Sequence, residues 1–429
     1  VTALLAFATW ALRMTRPLWA LVALHCALLL AVGLAAHGRL YDERPGPGNL
    51  TRFYLLVSLG GVLGGMFNAL LAPVLFVVPI EYPLVLLLAL VIRQAGKQPD
   101  LSVRALLAPP VVAAVLMTVM AVVTRMITLP DDVGYALVLG APAVYLLTVR
   151  NPIGFAVAFA ALLLLRPPVY TEGIYASRTF FGVYRVEEVD DERKLFHGMT
   201  VHGTQFLGER SREPTAYYHR DGPLGDLFAQ EADDIRIVIL GLGAGGISAY
   251  GGPETSFVFI EIDPEVVNIA RDETLFTYLS ESPSEIDVQV GDGRLGISSL
   301  PPGSADLLFL DAFTGDAIPV HLITAEALAE YAKVLSPTGK IVVNLSNRYF
   351  TLEPVIAAAA RSVGFDGVTR GYGGEEVVEG AASSRWAVLA LEPALLDGLR
   401  STPGWRSLRL QEDFRVWTDD YSNLLSIIR

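Results

Sequence analysis

Four short apolar runs in the second half of the chain each end in glycine or an acid, and these ends are where chemistry is to be sought. The first run, Ile235-Arg-Ile-Val-Ile-Leu-Gly-Leu-Gly-Ala-Gly-Gly246, empties into glycines. Glycine is needed where a side chain would keep the backbone off a ligand, or where the turn demands dihedrals that other residues resist. Gly241 and Gly243 are therefore candidate cradle residues. The second run, Phe257-Val-Phe-Ile-Glu-Ile-Asp-Pro264, places Glu261 18 residues after Gly243. An acid at that spacing can accept hydrogen bonds from both hydroxyls of a ribose. The third ends Val290-Gly-Asp-Gly293, where Asp292, next to Gly293, can accept from the exocyclic amine of an adenine. The fourth, Asp306-Leu-Leu-Phe-Leu-Asp311, delivers a carboxylate out of an apolar strand to the place where a transferred group would sit. An alkyl ammonium, with a pKa near ~10.4, must lose a proton before its nitrogen attacks carbon, and a desolvated carboxylate suits that task.

The first three ends together describe a nucleoside site of the adenosylmethionine kind. A nicotinamide dinucleotide site shares the first two features but does not usually carry a Gly-Asp-Gly on the third strand. The competing structural reading is of glycine turns with solvated acids, Asp311 capping a helix that begins near Pro319. No group of His, Cys and carboxylates surrounds Asp311 at ligand spacing, so neither a metal nor a permanently bound cofactor is expected. His197 and His202, five apart in a strand-like region, do not make a ligand pair. Gly246-Ile-Ser-Ala-Tyr-Gly251 is one residue too long for a nucleophile elbow, which disfavours serine hydrolase chemistry.

Positioning these ends requires strands at 235–240, 256–262, 286–290, 305–311 and 340–345, with helical stretches around 244–250, 264–274 and 322–335. Such alternation predicts a mostly parallel sheet covered on both faces, which binds ligands at the carboxyl ends of its strands. Before it, residues 170–232 hold short alternating segments, 178–187 and 193–202, with Gly and Asp pairs between them, the pattern of antiparallel hairpins.

The rest of the chain is of another kind. Its 429 residues are 52% hydrophobic and 18% charged, against roughly 25% charged in ordinary globular domains. Eleven basic and six acidic residues precede Tyr170, a net +5, while 21 basic and 39 acidic residues make the remainder −18. Apolar segments at 2–12, 17–36, 53–72, 74–92, 105–124, 133–149 and 153–165 predict a membrane bundle. Arginine and lysine in the 37–52 and 93–104 loops put those loops in the cytoplasm. The short last segment, read as a half-span, returns the acidic half to the same side. Ser58-Leu-Gly-Gly-Val-Leu-Gly-Gly-Met66 would let another helix approach closely, within the bundle or from a second copy in a homodimer. His25 and Cys26 show no partner in the sequence. The expected fold is thus multi-domain: transmembrane helices over 1–168, a β-hairpin domain over 170–232 and a Rossmann-like, methyltransferase-type α/β domain over 233–429. The acidity of the soluble half argues against nucleic acid as a partner and suits a cationic donor and acceptor.

Residues 170–429 resemble the spermidine synthase family, the polyamine aminopropyltransferases, and the preceding spans resemble its membrane-fused bacterial branch. That resemblance implies transfer of an aminopropyl group from decarboxylated S-adenosylmethionine, as co-substrate, to a polyamine such as putrescine, releasing methylthioadenosine. It implies an enzyme of the bacterial inner membrane, with lipid as a partner and the catalytic domain in the cytoplasm. His202-Gly-Thr-Gln205 is similar to the family's Asp-Gly-x-x-Gln, making Gln205 a nucleoside contact. Glu213-Pro-Thr-Ala-Tyr-Tyr-His219 is similar to Asp-Glu-x-x-Tyr-His-Glu, placing Tyr217 beside the reacting amine and Tyr218 near it. Glu261, Asp292 with Gly293, and Asp311 take the ribose, adenine and proton-acceptor roles. Two departures stand out. The family's glycine-loop aspartate is Ala244 here, and the second acid of Asp-Ser-x-Asp is displaced to Asp316. Asp419 or Asp420, in Trp417-Thr-Asp-Asp-Tyr-Ser-Asn423, is a candidate to replace the missing charge at the substrate. The readings left open are a methyltransferase acting on an amine and a non-catalytic polyamine-sensing or transport protein.

Overall fold

The computed structural model describes residues 17–82, 84–85, 173–312, 319–374, 377–411 and 413–429. The chain divides into two compact units, Val1–Thr171 and Glu172–Arg429. The expected segments 2–12, 105–124, 133–149 and 153–165, and residues 83 and 86–92 of the segment 74–92, lie outside the described residues.

In the first unit, helix α1 spans Leu18–Asp42, six residues past the expected end at 36. The polar end is carried by an Arg39–Glu43 pair at 2.8 Å, and the Pro-Gly-Pro-Gly that follows stops the helix. Helix α2 spans Leu50–Met66 and continues through a π turn, Phe67–Leu71, into Ala72–Leu75. The expected break at Pro73 is absent. The π turn ahead of it spreads the register, so the proline's missing N–H costs the helix little. Both helices are long and apolar enough to cross a membrane, Trp19–Asp42 and Pro47–Leu75. His25 has a partner after all: its Nδ1 lies 2.7 Å from the Tyr82 hydroxyl, 57 residues on.

The second unit opens with a four-stranded antiparallel meander, β1 (Tyr175–Arg178), β2 (Val183–Val189), β3 (Glu192–His197) and β4 (Thr200–Phe206). The β2–β3 turn is Asp190-Asp191, with Asp190 at φ 57°, and the β3–β4 turn uses Gly198 at φ 62°. These are left-handed positions that two-residue hairpins require. The predicted hairpins are therefore present, with four strands where the pattern marked two segments.

Beyond it lies an eight-stranded sheet, β5 (Arg236–Leu240), β6 (Ser256–Glu261), β7 (Glu285–Val290), β8 (Ala305–Leu310), β9 (Leu335–Asn344), β10 (Asp366–Tyr372), β11 (Ser384–Ala390) and β12 (Arg406–Ser407), in the order β12-β10-β11-β9-β8-β5-β6-β7. Strands β7, β6, β5, β8 and β9 are mutually parallel, and β11 inserts antiparallel between β9 and β10. This is the Rossmann-like methyltransferase-type sheet. Val238, Ile239, Leu240 and Leu307 to Leu310 are buried whichever face they point to, because helices cover both sides. Helix α3 is Pro223–Phe228. Helix α4, Pro264–Arg271, starts where Asp263 caps the Glu265 N–H and Pro264 takes the first turn. Helix α5, Gly293–Ser298, is capped by Asp292, and α6, Ala325–Val334, by Thr324. Helix α7 is Glu353–Ser362. Since β5 hands the chain to β6 on one side and neighbours β8 on the other, the topological switch point falls at the end of β5.

Candidate active site

The glycine loop leaves β5 at that switch point. Gly241, Gly243 and Gly245 have φ of 97°, 55° and 81°. A Cβ on Gly241 would stand 2.6 Å from the Asp311 carbonyl oxygen, and one on Gly243 would stand 2.6 Å from that of His202. The loop is thus wedged between the end of β8 and the end of the small sheet, and only glycine fits. Ala244 is buried against Gly203 of β4 and does not line the cavity, so the position that carries an aspartate in the family is closed off by the small sheet.

A cavity of about 1020 Å³ opens over these strand ends, lined by Gly241, Gly243, Glu261, Asp292, Gly293 and Asp311, together with Tyr217 and Tyr218. Glu261 is buried. Its Oε2 accepts the Leu242 N–H at 2.9 Å and its Oε1 the Asp263 N–H at 3.0 Å. Burial raises its pKa, and the backbone N–H donors pull it back. The same carboxylate that would face a ribose therefore also fixes the glycine loop. Asp292 accepts the Leu295 N–H at 3.0 Å, capping α5, and its other oxygen lies 3.4 Å from His321 Nε2.

Asp311 is the most perturbed acid in the cavity. The Tyr218 hydroxyl donates to its Oδ2 at 2.5 Å, and Asn344 Nδ2 donates to its Oδ1 at 2.7 Å. Burial pushes its pKa up to about 6 against the opposing pull of those two donors. Among the described residues it caps no helix. The Asn344 amide is itself oriented, because its Oδ1 accepts the Ser346 N–H at 2.8 Å.

Both tyrosines line the cavity, in different settings. Tyr218 touches Asp311, whereas the Tyr217 hydroxyl donates to the Val201 carbonyl at 3.3 Å. The cause is backbone: Ala216 sits at φ 52°, a left-handed position unusual for alanine, tied by its N–H to the Gly380 carbonyl at 2.6 Å. That kink turns Tyr218 inward, and Tyr250 holds it by donating to the Tyr218 carbonyl at 2.6 Å.

Three expectations are corrected or fall away. Gln205 does not reach the cavity. It is buried, with its amide donating to the Ser211 carbonyl and Thr277 Oγ1, both at 2.9 Å, and accepting the Thr277 N–H at 2.9 Å. Two of its three bonds tie β4 to Thr277, in the segment after α4. Asp420 is exposed in the Thr418–Tyr421 turn and does not line the cavity, while Asp419 pairs with Arg294 at 2.7 Å. Asp316 lies outside the described residues. Asn344, which the sequence did not single out for this site, belongs to it. It ends β9, the neighbour of β8, and attention to adjacent strand ends would have found it.

The fold and site define a class: a methyltransferase-type α/β protein with a cavity at its switch point and a desolvated carboxylate facing that cavity. Comparison with known proteins points the same way. Over 115 residues the chain is 40% identical to the polyamine aminopropyltransferase of Vibrio vulnificus, a stretch covering 25% of this chain and 37% of that protein. Over 176 residues it is 23% identical to a protein of Bifidobacterium longum described as a probable polyamine aminopropyl transferase, covering 40% of this chain and 37% of that one. The chain thus spans 37% of the length of either of these curated relatives. Among solved structures, a probable spermidine synthase from Corynebacterium glutamicum is similar over 60% of this chain and 99% of its own, at 19% identity and a TM-score of 0.42. No family model matches the chain. Over the matched stretches the chain is similar to the polyamine aminopropyltransferases.

Proposed function

We propose that this protein transfers an aminopropyl group from decarboxylated S-adenosylmethionine to an amine of the polyamine class, with putrescine as the reference acceptor. The observation that carries the reading is Asp311, fixed by Tyr218 and Asn344 at the end of β8, with a pKa near 6 in a cavity that also holds the glycine loop and Glu261. In this reading Glu261 receives the ribose hydroxyls, Asp292 and Gly293 face the adenine, and Gly241 and Gly243 let the donor lie close to the backbone. Tyr217 and Tyr218 wall the acceptor side.

The amine nitrogen attacks the propyl carbon next to the sulfonium. As the C–N bond forms, the C–S bond breaks, its electron pair returns to sulfur, and methylthioadenosine leaves as a neutral thioether. The nitrogen's surplus proton goes to Asp311, directly or through water. An ordinary aspartate near 3.8 is a poor partner for an ammonium near ~10.4, and raising it to about 6 narrows the mismatch by roughly 3 kcal/mol. The carboxylate is still mostly ionised at neutral pH, so it can hold the cation and take its proton. Alignment of nitrogen, carbon and sulfur supplies the remainder, several kcal/mol in well-oriented systems.

A second reading, a methyltransferase acting on an amine, is favoured by Ala244 at the place of the family's aspartate. Purified protein given adenosylmethionine or its decarboxylated form, with putrescine, separates the two. Methylthioadenosine released only from the decarboxylated donor supports aminopropyl transfer, and adenosylhomocysteine overturns it. The two apolar helices of the first unit support attachment to the bacterial inner membrane, with lipid as a partner and the α/β unit on the cytoplasmic side. Protection of that unit from protease added outside intact cells tests its side.

A further inference from the structure

The C-terminal segment Trp417-Thr-Asp-Asp-Tyr-Ser-Asn423 takes no part in the proposed chemistry, yet it is built firmly into the α/β unit. Trp417 is fully buried in the core that also holds Leu322 and Tyr331, and its carbonyl accepts the Ala325 N–H at 3.0 Å. The turn that follows brings Asp419 to the starts of both α5 and α6. Asp419 Oδ1 accepts from the hydroxyl of Thr324, the cap of α6, at 2.8 Å, and the Asp419 N–H donates to Glu326 Oε2 at 3.1 Å. Its two carboxylate oxygens also accept from Arg294, Nη1 at 2.7 Å and Nη2 at 2.9 Å.

Arg294 directly follows Asp292-Gly293. Its other edge is held by Glu330, with Nε and Nη2 donating at 2.8 and 2.9 Å, and Nη1 donates as well to the His321 carbonyl at 3.2 Å. The guanidinium keeps Glu330 and Asp419 below the usual carboxylate range. Held along both edges by carboxylates, it is a fixed fork rather than a mobile surface charge. It therefore sets where two cavity-lining residues stand: Asp292, two positions before it, and His321, whose backbone it holds. These two meet. Asp292 Oδ1 is committed to the Leu295 N–H at 3.0 Å, and Oδ2 lies 3.4 Å from His321 Nε2. Oδ2 is thus the oxygen left to receive an exocyclic amine.

We infer that Asp419 is a positioning residue for recognition of the purine: through Arg294 it holds His321 and Asp292 at the spacing that admits a 6-amino group and rejects a 6-oxo group. This rests on the nucleoside reading of Asp292 and extends it to a residue outside the cavity lining. A 6-oxo group would set one acceptor against another at Oδ2, so the discrimination depends on that oxygen staying in place. Loss of the Asp419 side chain leaves other ties standing. Glu330 keeps its two bonds to Arg294, and the Tyr331 hydroxyl keeps its bond to the Leu322 carbonyl at 3.1 Å.

The test is calorimetric titration of the full chain with methylthioadenosine and with methylthioinosine, its 6-oxo counterpart. The unaltered protein should prefer the adenine nucleoside. Asp419→Ala should weaken that binding by about tenfold, the worth of one charge-assisted hydrogen bond, with the inosine nucleoside little affected, so that the preference shrinks. Asp419→Asn, which keeps the shape of the turn without its charge, should act in the same direction, whereas Asp420→Ala, on the neighbouring exposed side chain, should not. In His321→Ala the preference should no longer respond to Asp419→Ala. A preference unchanged in both Asp419 variants, or an equal weakening of both nucleosides that persists in the His321→Ala background, would overturn the inference and leave the nucleoside reading intact. Failure of the unaltered protein to bind methylthioadenosine would overturn the nucleoside reading itself, and the inference with it.

Discussion

The two ends of the cavity are built on different principles. The proposed nucleoside end is assembled from consecutive strand ends between Leu240 and Gly293, and its acids are satisfied by backbone N–H groups only two to nineteen residues away in sequence. The acceptor end is convergent. Tyr218, Asp311 and Asn344 come from three separate segments, and the bonds between them bridge 93 and 33 residues. A locally built end tolerates change elsewhere in the fold. A convergent end can be retuned by a kink such as that at Ala216.

Breaking the convergent end should cost most. Asp311→Asn removes the proton acceptor while keeping the shape, and turnover should fall by about 10²–10⁴-fold with donor affinity nearly unchanged, as single-turnover rates and a nucleoside titration would show. Glu261→Ala strikes the local end. It frees the glycine loop and removes the ribose acceptor, so donor affinity should weaken by about 10–100-fold, read by calorimetry with methylthioadenosine.

Smaller effects sharpen the contrast. In Tyr218→Phe the carboxylate loses a donor to its charged form, so the Asp311 pKa rises. The acidic limb of the pH–rate profile, expected near 6 in the unaltered protein because activity needs the ionised carboxylate, should therefore move to higher pH. Asn344→Leu should move it the same way, whereas Tyr217→Phe should leave the limb in place. Gln205→Ala should lower stability by about 1–3 kcal/mol, with nucleoside affinity little changed in the folded protein. The reverse pattern would return Gln205 to the nucleoside site. Asp420→Ala should alter neither property measurably.

Legibility in the sequence follows the same division. The strand ends at Gly241, Glu261, Asp292 and Asp311 were readable because period, glycine and acid coincide over a few residues. That these strands form a mostly parallel sheet followed from their alternation with helices, whereas their order did not. What could not be read depends on long-range packing. Nothing near Ala216 announces its left-handed conformation, which decides which of two adjacent tyrosines reaches Asp311. Nothing near Gln205 reveals Thr277, 72 residues on, which takes up its amide. Asn344 was hidden for the same reason, its partner lying on the neighbouring strand. In the first unit the π turn before Pro73 erased a break that proline alone predicts.

The central claim is that Asp311 accepts the proton of an attacking amine during aminopropyl transfer. Its most direct test is the rate of methylthioadenosine release from decarboxylated adenosylmethionine, under saturating amine, followed from pH 5 to 9 in the unaltered protein and in Asp311→Asn. The account predicts an acidic limb near pH 6 that disappears, with most of the rate, in the variant. A profile with the same limb and a comparable rate in Asp311→Asn would contradict it.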